Sequence, residues 1–198
     1  MIDIYLPLAR RLLQQSGLSS QLAAGTLEHL LAAARLQRHA AGKQLSQRGQ
    51  SMPELLFVVE GSLEVSMEDG EGRRSICWYN GAGQWLGLIS VIDQKNAIHD
   101  ARAHGEVVLL HVPRQTFLQA LEQDPGLARY CLQVLCERSR SLYENLAAGG
   151  LLPLRARIAR MLLMLLAQHG RDGHSGLEID LKLSQDEFAD MLGITRQS

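Results

Sequence analysis

Cysteine is scarce in this 198-residue sequence, which contains only Cys77, Cys131 and Cys136. An odd number of cysteines forms no complete disulfide framework. Cys131 and Cys136 are five residues apart, about 140° around a helix axis, so a shared metal site is not expected. Residues 1–13 are interrupted by charged residues and a proline and lack a signal-peptide pattern. Reduced thiols and a cytoplasmic location are therefore expected.

Excess charge and long apolar runs are also missing. The sequence has 20 Lys and Arg against 21 Asp and Glu, so no global basic field points to nucleic acid or to a membrane surface. No apolar run is long enough to cross a bilayer. The sequence has no Gly-x-Ser-x-Gly elbow, phosphate loop or His-Glu-x-x-His motif. We therefore expect neither an enzyme nor a membrane partner.

One long helix is predicted from Asp124 to Gly149. Asp124 suits an N-cap, Pro125 is tolerated in a first helical turn, and the glycine pair at 149–150 predicts the end. Residues at alternating steps of three and four form a coiled-coil seam with one polar break. The seam consists of Leu132, Leu135, Ser139, Leu142 and Leu146. This spacing predicts a homodimer interface.

Before the long helix, a helical region from Pro7 to Leu36 precedes many short, glycine-punctuated segments. Regular turn signals of this kind predict an antiparallel barrel or jelly roll. Leu55–Val59 and Ser62–Met67 read as a hairpin with Gly61 in its turn. In the second segment Leu63, Val65 and Met67 are expected to be buried, and Ser62, Glu64 and Ser66 to be wet. Strands at Ala97–Ala103 and Glu106–Val112 form the last predicted pair.

After the strands, a short helix is predicted at Arg114–Gln123, before the long one. A helix from Pro153 to His169, a polar loop to Gly176 and a strand at Leu177–Leu181 are predicted beyond it. Ser184 and Glu187 then fit a capping box at a helix start, Gly193 ends that helix, and Thr195 can cap the next. Two short helices joined by a glycine turn are typical of a helix-turn-helix entrance.

In this order, the elements resemble those of the bacterial family of the cyclic-AMP receptor protein and the fumarate–nitrate regulator, CRP/FNR. The resemblance covers nearly the whole chain and depends on Val58–Val65, Gly83–Gly87, Arg155–Ala159, Ser184–Ala189 and Gly193–Arg196. It implies an α+β fold: an antiparallel β-roll of the cyclic-nucleotide-binding type over 1–123, a dimerisation helix over 124–149, and a winged helix-turn-helix over 150–198. The implied function is transcription regulation, in which an effector in the roll reorients the DNA-reading heads through the long helices.

The same resemblance assigns DNA contacts to Thr195, Arg196, Gln197 and Ser198. Arg196 matches the arginine that reads guanine, and its fork suits O6 and N7. The implied partners are palindromic double-stranded DNA, a second copy of the chain and RNA polymerase. A wing and most of a recognition helix would follow Ser198, so we expect the chain as given to bind DNA poorly.

The effector pocket is where the sequence departs from the family. The implied pocket positions are Trp85, Gly87, Leu88, Ile98, His99, Leu142 and Tyr143. Cyclic-nucleotide binders carry a glutamate at the position of Leu88 and an Arg-Ser pair at those of Ile98 and His99. A buried phosphate needs a cationic or multi-donor partner, which Leu88 and Ile98 do not offer. We therefore expect no cyclic-AMP binding of the usual kind.

Other cofactors and functions stay open at this point. No cysteine precedes Cys77, which argues against the iron–sulfur cluster of some family members. A haem sensor would need axial ligands, for which His99, His104, His111, Cys77 and Met67 are conceivable. Two alternative functions are a regulatory module of the same barrel type that contacts protein, and a cupin-type metalloenzyme. The second would need a His-x-His pattern, which the sequence lacks.

Overall fold

The structure is a computed structural model that describes residues 3–68, 70–71, 74–174 and 176–194. The chain divides into two compact units. The first comprises Met1–Met67 and Trp78–Leu135, and the second comprises Glu68–Cys77 and Cys136–Ser198. The domain limits at residues 123 and 149 stay predictions. Within the described residues, every helix is too short or too polar to cross a membrane.

Short helices precede the sheet in the first unit. After a 3-10 turn come α1 (Leu6–Gln15) and α2 (Thr26–Ala33). Gly25, with φ +91°, makes the left-handed turn into α2. The helical region predicted from Pro7 to Leu36 is confirmed over α1 and α2 and is wrong for residues 16–25, which form turns. It is also wrong at Leu36, which lies in a strand.

The sheet is antiparallel in the pairs that the described residues define. Its strands are β1 (Arg35–His39), β2 (Gln44–Ser46), β3 (Glu54–Glu68), β4 (Arg74–Asn80), β5 (Trp85–Leu86) and β6 (Asp100–Pro113). The main order is β1-β6-β3-β4, while β2 pairs with β6 and β5 with β3. A short helix, α3 (Leu88–Ile92), lies between β5 and β6. This arrangement confirms the predicted β-roll.

Alternate residues of β3 and β6 enter two different cores. The helix-side core contains Ala9, Leu13, Leu30, Leu55, Phe57, Val59, Trp85, Leu88, Val108, Leu110, Val112, Phe117 and Leu127. The strand-side core contains Met52, Leu56, Val58, Leu63, Val65, Leu86, Ala101, Ala103, Val107 and Leu109. Because both faces of these strands are covered by apolar groups, residues 55–59 form a continuous apolar run.

The hairpin predicted around Gly61 is wrong. β3 is one 15-residue strand that pairs with β6 from Glu54 opposite Pro113 to Ser66 opposite Asp100, with irregular register around Glu60. Gly61 has φ +80°, and a Cβ there would overlap the carbonyl oxygen of Glu106. Position 61 therefore requires glycine, because it lies in a β-bulge where the backbones of β3 and β6 approach closely. The predicted pair of strands at Ala97–Ala103 and Glu106–Val112 is also wrong, because β6 is one strand that continues through Gly105 with φ +77°.

The predicted wet face of β3 is also wrong. Ser62, Glu64 and Ser66 are buried together with Leu63 and Val65, and Met67 is exposed. β3 is an interior strand, flanked by β6 and β4. Alternation of polar and apolar residues on an interior strand does not by itself identify a face that contacts water.

The short helix and the long helix meet at a buried carboxylate. α4 (Arg114–Gln123) has the predicted bounds, and α5 (Pro125–Leu151) follows one residue later. Asp124 accepts hydrogen bonds from the backbone N–H groups of Ala23 and Gly126, both at 2.8 Å. It therefore satisfies a free donor at the start of α5 and holds the loop before α2 against that helix.

The predicted stop at Gly149-Gly150 is wrong, since α5 continues through both glycines to Leu151. A glycine inside a helix costs only about 1 kcal/mol relative to alanine, which a helix of this length tolerates. Pro153 sets the end instead, because proline disfavours helical backbone at the residue before it.

The second unit continues with α6 (Leu154–His169), β7 (Gly170–Gly173), β8 (Gly176–Ile179) and α7 (Gln185–Leu192). β7 and β8 pair with Gly170 opposite Ile179. The loop predicted at Gly170–Gly176 is therefore wrong over Gly170–Gly173, which form a strand. The sequence does not predict this strand because glycine has a low strand propensity. The predicted α6, β8 and α7 are confirmed.

Candidate functional site

The turn at Gly83–Gly87, which the resemblance places at the effector pocket, is held against β3. Val58 donates its N–H to the carbonyl of Gln84 at 3.0 Å, and Gly83 donates to the carbonyl of Val58 at 2.8 Å. The turn ends at Gly87, which has φ +94° and begins α3. A side chain at Gly87 would be strained and would overlap the end of Met52. Glycine therefore fits position 87 for two reasons: it adopts the left-handed backbone conformation, and it leaves space for the side chain of Met52.

Two predicted pocket residues are buried in the helix-side core. Leu88 is 2 % exposed and belongs to that core, as does Trp85. The Trp85 ring lies 4.7 Å from the ring of Phe57 and 6.3 Å from that of Phe117, measured between centroids. Both residues therefore stabilise the contact between the sheet and its covering helices.

Met52 covers the effector motif from the other side. It is 5 % exposed, belongs to the strand-side core and contacts Gly87 with its thioether end. Sequence reasoning missed Met52, because it lies 35 positions before Gly87 and no local pattern connects the two. A methionine thioether offers no cation and only a weak acceptor, so Met52 cannot neutralise a phosphate.

The remaining pocket positions are more exposed. Ile98 is 44 % exposed. His99 lies edge-on to the ring of Trp78 with centroids 5.2 Å apart, and its carbonyl accepts a hydrogen bond from Ser46. On α5, Leu142 and Tyr143 are exposed. Leu88 and Ile98, which the resemblance places in the effector pocket, are apolar, and neither can neutralise a phosphate.

The seam of α5 is largely uncovered. Leu132, Leu142 and Leu146 are 64 %, 56 % and 76 % exposed. Ser139 is exposed and Leu135 is partly buried against the helix-side core. Three large apolar side chains in coiled-coil spacing on one helix form an apolar stripe that α5 itself leaves unpaired.

The helix-turn-helix entrance has the predicted local geometry. The Ser184 side chain accepts the N–H of Glu187 at 3.1 Å, and the Glu187 carboxylate accepts the N–H of Ser184 at 2.7 Å. Gly193 closes α7 with φ +63°. Arg157 on α6 donates to the carbonyl of Leu192 and so ties α7 to α6. Thr195, Arg196, Gln197 and Ser198 lie outside the described residues.

Several conceivable haem ligands have other partners. The His104 ring contacts that of Tyr79, with centroids 4.8 Å apart. Burial raises the pKa of the Cys77 thiol, which disfavours the thiolate that a metal requires. Met67 is exposed. Both ring nitrogens of His111 are engaged, Nδ1 with Glu54 at 2.8 Å and Nε2 with His39 at 3.0 Å.

Comparison with known proteins identifies both regions. Residues 36–124 match the cyclic nucleotide-binding domain, and residues 156–198 match the Crp-like helix-turn-helix domain. A curated relative, the cAMP-activated global transcriptional regulator CRP of Haemophilus influenzae, is 25 % identical over 176 residues, covering 87 % of this chain and 77 % of the relative.

Solved structures of transcription regulators share the fold of this chain. FixK2 of Bradyrhizobium japonicum superposes with a TM-score of 0.74 at 20 % identity, covering 83 % of this chain and 79 % of that one. The c-di-GMP responsive global regulator CLP of Xanthomonas campestris gives 0.68 at 21 % identity, with coverage of 88 % and 87 %. The matches to the cyclic nucleotide-binding domain and to the Crp-like helix-turn-helix domain, which together span most of the chain, show that it belongs to the CRP family of transcription regulators.

Proposed function

We propose that the protein is a homodimeric regulator of the CRP/FNR type that binds palindromic DNA and does not respond to cyclic AMP. The roll over 1–123 would sense an effector, the helix over 124–149 would dimerise, and residues 150–198 would read DNA. Its site of action would be the cytoplasm, where chromosomal DNA and its expected partner RNA polymerase meet. Two-fold symmetry would match half-sites about one DNA turn apart.

The observation that carries the DNA-binding part is the geometry at Ser184 and Gly193. A complete capping box starts α7 and a left-handed glycine ends it two residues before Thr195. Arg196 lies within the region that matches the Crp-like helix-turn-helix, where the resemblance implies the start of the second helix. An arginine near the start of such a helix suits guanine in the major groove.

The dimer part is supported by the uncovered seam. Leu132, Leu142 and Leu146 would be costly to leave in water, and a parallel copy of α5 would cover them. Ser139, in the middle of the seam, would favour one register over others at some cost in stability, as polar seam residues do in coiled coils.

The effector part is supported by what surrounds Gly87. Leu88 is committed to the helix-side core and Met52 lies directly against the glycine, so neither can accept or neutralise a phosphate. Titration calorimetry with cyclic AMP is expected to give no heat of binding at protein concentrations that would detect micromolar affinity. A micromolar dissociation constant would contradict this part alone, leaving the DNA-binding part unaffected.

DNA binding is tested by selecting palindromic sequences with the complete protein and measuring affinity against salt. Affinity should fall steeply as salt rises, because phosphate contacts release counterions. Arg196→Ala should reduce binding and relax the preference at one base position, by about 1–3 kcal/mol. Arg11→Ala, at an exposed position of α1, is the matched control and should leave binding unchanged. Equal effects of the two substitutions would contradict the assignment of Arg196.

A further inference from the structure

A line of polar side chains runs through β1, β3 and β6 of the first unit. Arg35 holds the carboxylate of Glu54, with Nη2 to Oε2 at 2.9 Å. Glu54 accepts a hydrogen bond from Nδ1 of His111 at 2.8 Å, and Nε2 of His111 faces Nε2 of His39 at 3.0 Å. Both histidines are buried. The line therefore ends in two imidazoles that meet away from water.

The hydrogen-bond directions follow from Glu54. An ionised carboxylate only accepts, so Nδ1 of His111 carries the proton, and its Nε2 is a lone pair when the ring is neutral. His39 must then donate from its own Nε2. This arrangement is complete with both rings neutral. If both rings were protonated, two N–H groups would face each other at hydrogen-bond distance, and the contact would turn repulsive.

The charges around the pair oppose protonation. Arg35 and His39 lie on β1, Lys43 follows β1, Glu54 lies on β3 and His111 on β6. Burial first, and then His111, Lys43 and Arg35, lower the pKa of His39 below 6.5. Burial also lowers the pKa of His111, although Glu54 acts in the opposite direction. The Glu54 carboxylate is shared with Arg35, so it does not offset two imidazolium charges.

We propose that His39 and His111 form an acid-sensitive latch that holds β1 on β6 when both rings are neutral and releases it when both take up protons. The latch requires no bound effector. Since both pKa values are lowered in the closed state, its stability is fully present above about pH 6.5 and is lost as pH falls through the lowered values. Acidification would therefore loosen the edge strand that connects α2 to the roll.

The size of the effect follows from proton linkage. If the closed pair stays neutral and the open rings titrate normally, the population of the open state should rise about 100-fold between pH 7.5 and pH 5.5 for two imidazoles, and about tenfold for one. Hydrogen exchange of the amides of Arg35–His39, corrected for intrinsic rates, measures this opening in the full chain.

The matched variants are His39→Gln and His29→Gln. A glutamine amide at position 39 can still donate to Nε2 of His111 but takes up no proton, so its opening should rise only about tenfold over the same range. His29 is exposed on α2, and its substitution should preserve the full response. No pH response of the wild type, or the same response in His39→Gln, would overturn the proposal.

Two further measurements keep the test decisive. Should His39→Gln fail to fold, NMR titration of the wild-type histidine rings must show two imidazoles titrating below 6.5, and their absence would overturn the latch. Zinc ions added at about pH 7.5 should not protect β1. Zinc protection in the wild type that His39→Gln abolishes would identify the pair as a metal site and would also overturn the proposal.

Discussion

Replacing Leu146 with alanine should weaken self-association by about two orders of magnitude. Leu146 is 76 % exposed in the single chain, so about three quarters of its side chain is available for burial in a dimer. Full burial of a leucine contributes about 1.5–3 kcal/mol, which gives about 1–2 kcal/mol for this exposed part. A two-fold interface contains the substitution twice, and the total loss is about 2–4 kcal/mol.

That loss translates into a measurable constant. Since about 1.4 kcal/mol corresponds to a tenfold change, the dissociation constant of the dimer should rise between about 30-fold and several hundred-fold. Sedimentation velocity over a concentration series measures this constant for the wild type and the variant. The helix should stay folded, because alanine has the highest helix propensity.

The matched control is Leu163→Ala. Leu163 is 67 % exposed but lies on α6, outside the seam. It should lose a similar apolar surface without any change in association. A wild type that is monomeric at every concentration would refute the seam, and so would equal shifts of the dissociation constant in the two variants.

Three other substitutions test the fold around the sites. Gly61→Ala should destabilise the protein more than Gly105→Ala in urea unfolding. Both have positive φ, which costs about 1–2 kcal/mol, but only Gly61 faces a carbonyl; equal losses would contradict that approach. Ser184→Ala should cost about 0.5–2 kcal/mol through loss of the cap, measured by circular dichroism during urea unfolding; an unchanged curve would exclude a contribution of the cap. Burial opposes ionisation of Asp124, but hydrogen bonds from Thr26, Ala23, Gly126 and Leu127 outweigh it and lower its pKa below 3.8. The stability from Asp124 is thus present above 3.8 and lost as pH falls through the lower folded value. Asp124→Asn should flatten the melting temperature between about pH 5 and pH 3, and a fall parallel to the wild type would contradict this.

Local signals were sufficient where the physical cause is local. The capping box at Ser184 and Glu187 acts within one helical turn, and it is present as predicted. α4 begins right after Pro113 and has its predicted bounds. The glycine pair at 149–150 shows the limit of such signals, because a glycine permits a helix end without requiring one.

Features that depend on distant pairing could not be read from local patterns. Gly61 looks like a hairpin turn in the sequence, yet it faces Glu106 across 45 positions. His39 and His111 are 72 residues apart, and neither has a neighbour in the sequence that suggests the other. Met52 and Gly87 are a similar case. These contacts depend on the pairing of β3 with β6, of β1 with β6, and of β3 with β5, respectively. Loop closure over such distances leaves no periodic signal in the sequence.

Gly61 also decides how the longest strands align. In a sheet with one wet face, a slip of one residue exposes apolar side chains and is rejected on that ground. Leu55–Val59 and Val107–Leu110 are apolar on both faces, so a slip there would exchange one set of apolar side chains for another at little cost in burial. After such a slip Glu60 or Ser62 would place a Cβ against the carbonyl of Glu106, where only glycine fits. The absence of a Cβ at Gly61 thus sets the register of β3 on β6. Hydrophobic patterning alone would not distinguish this register from its neighbours.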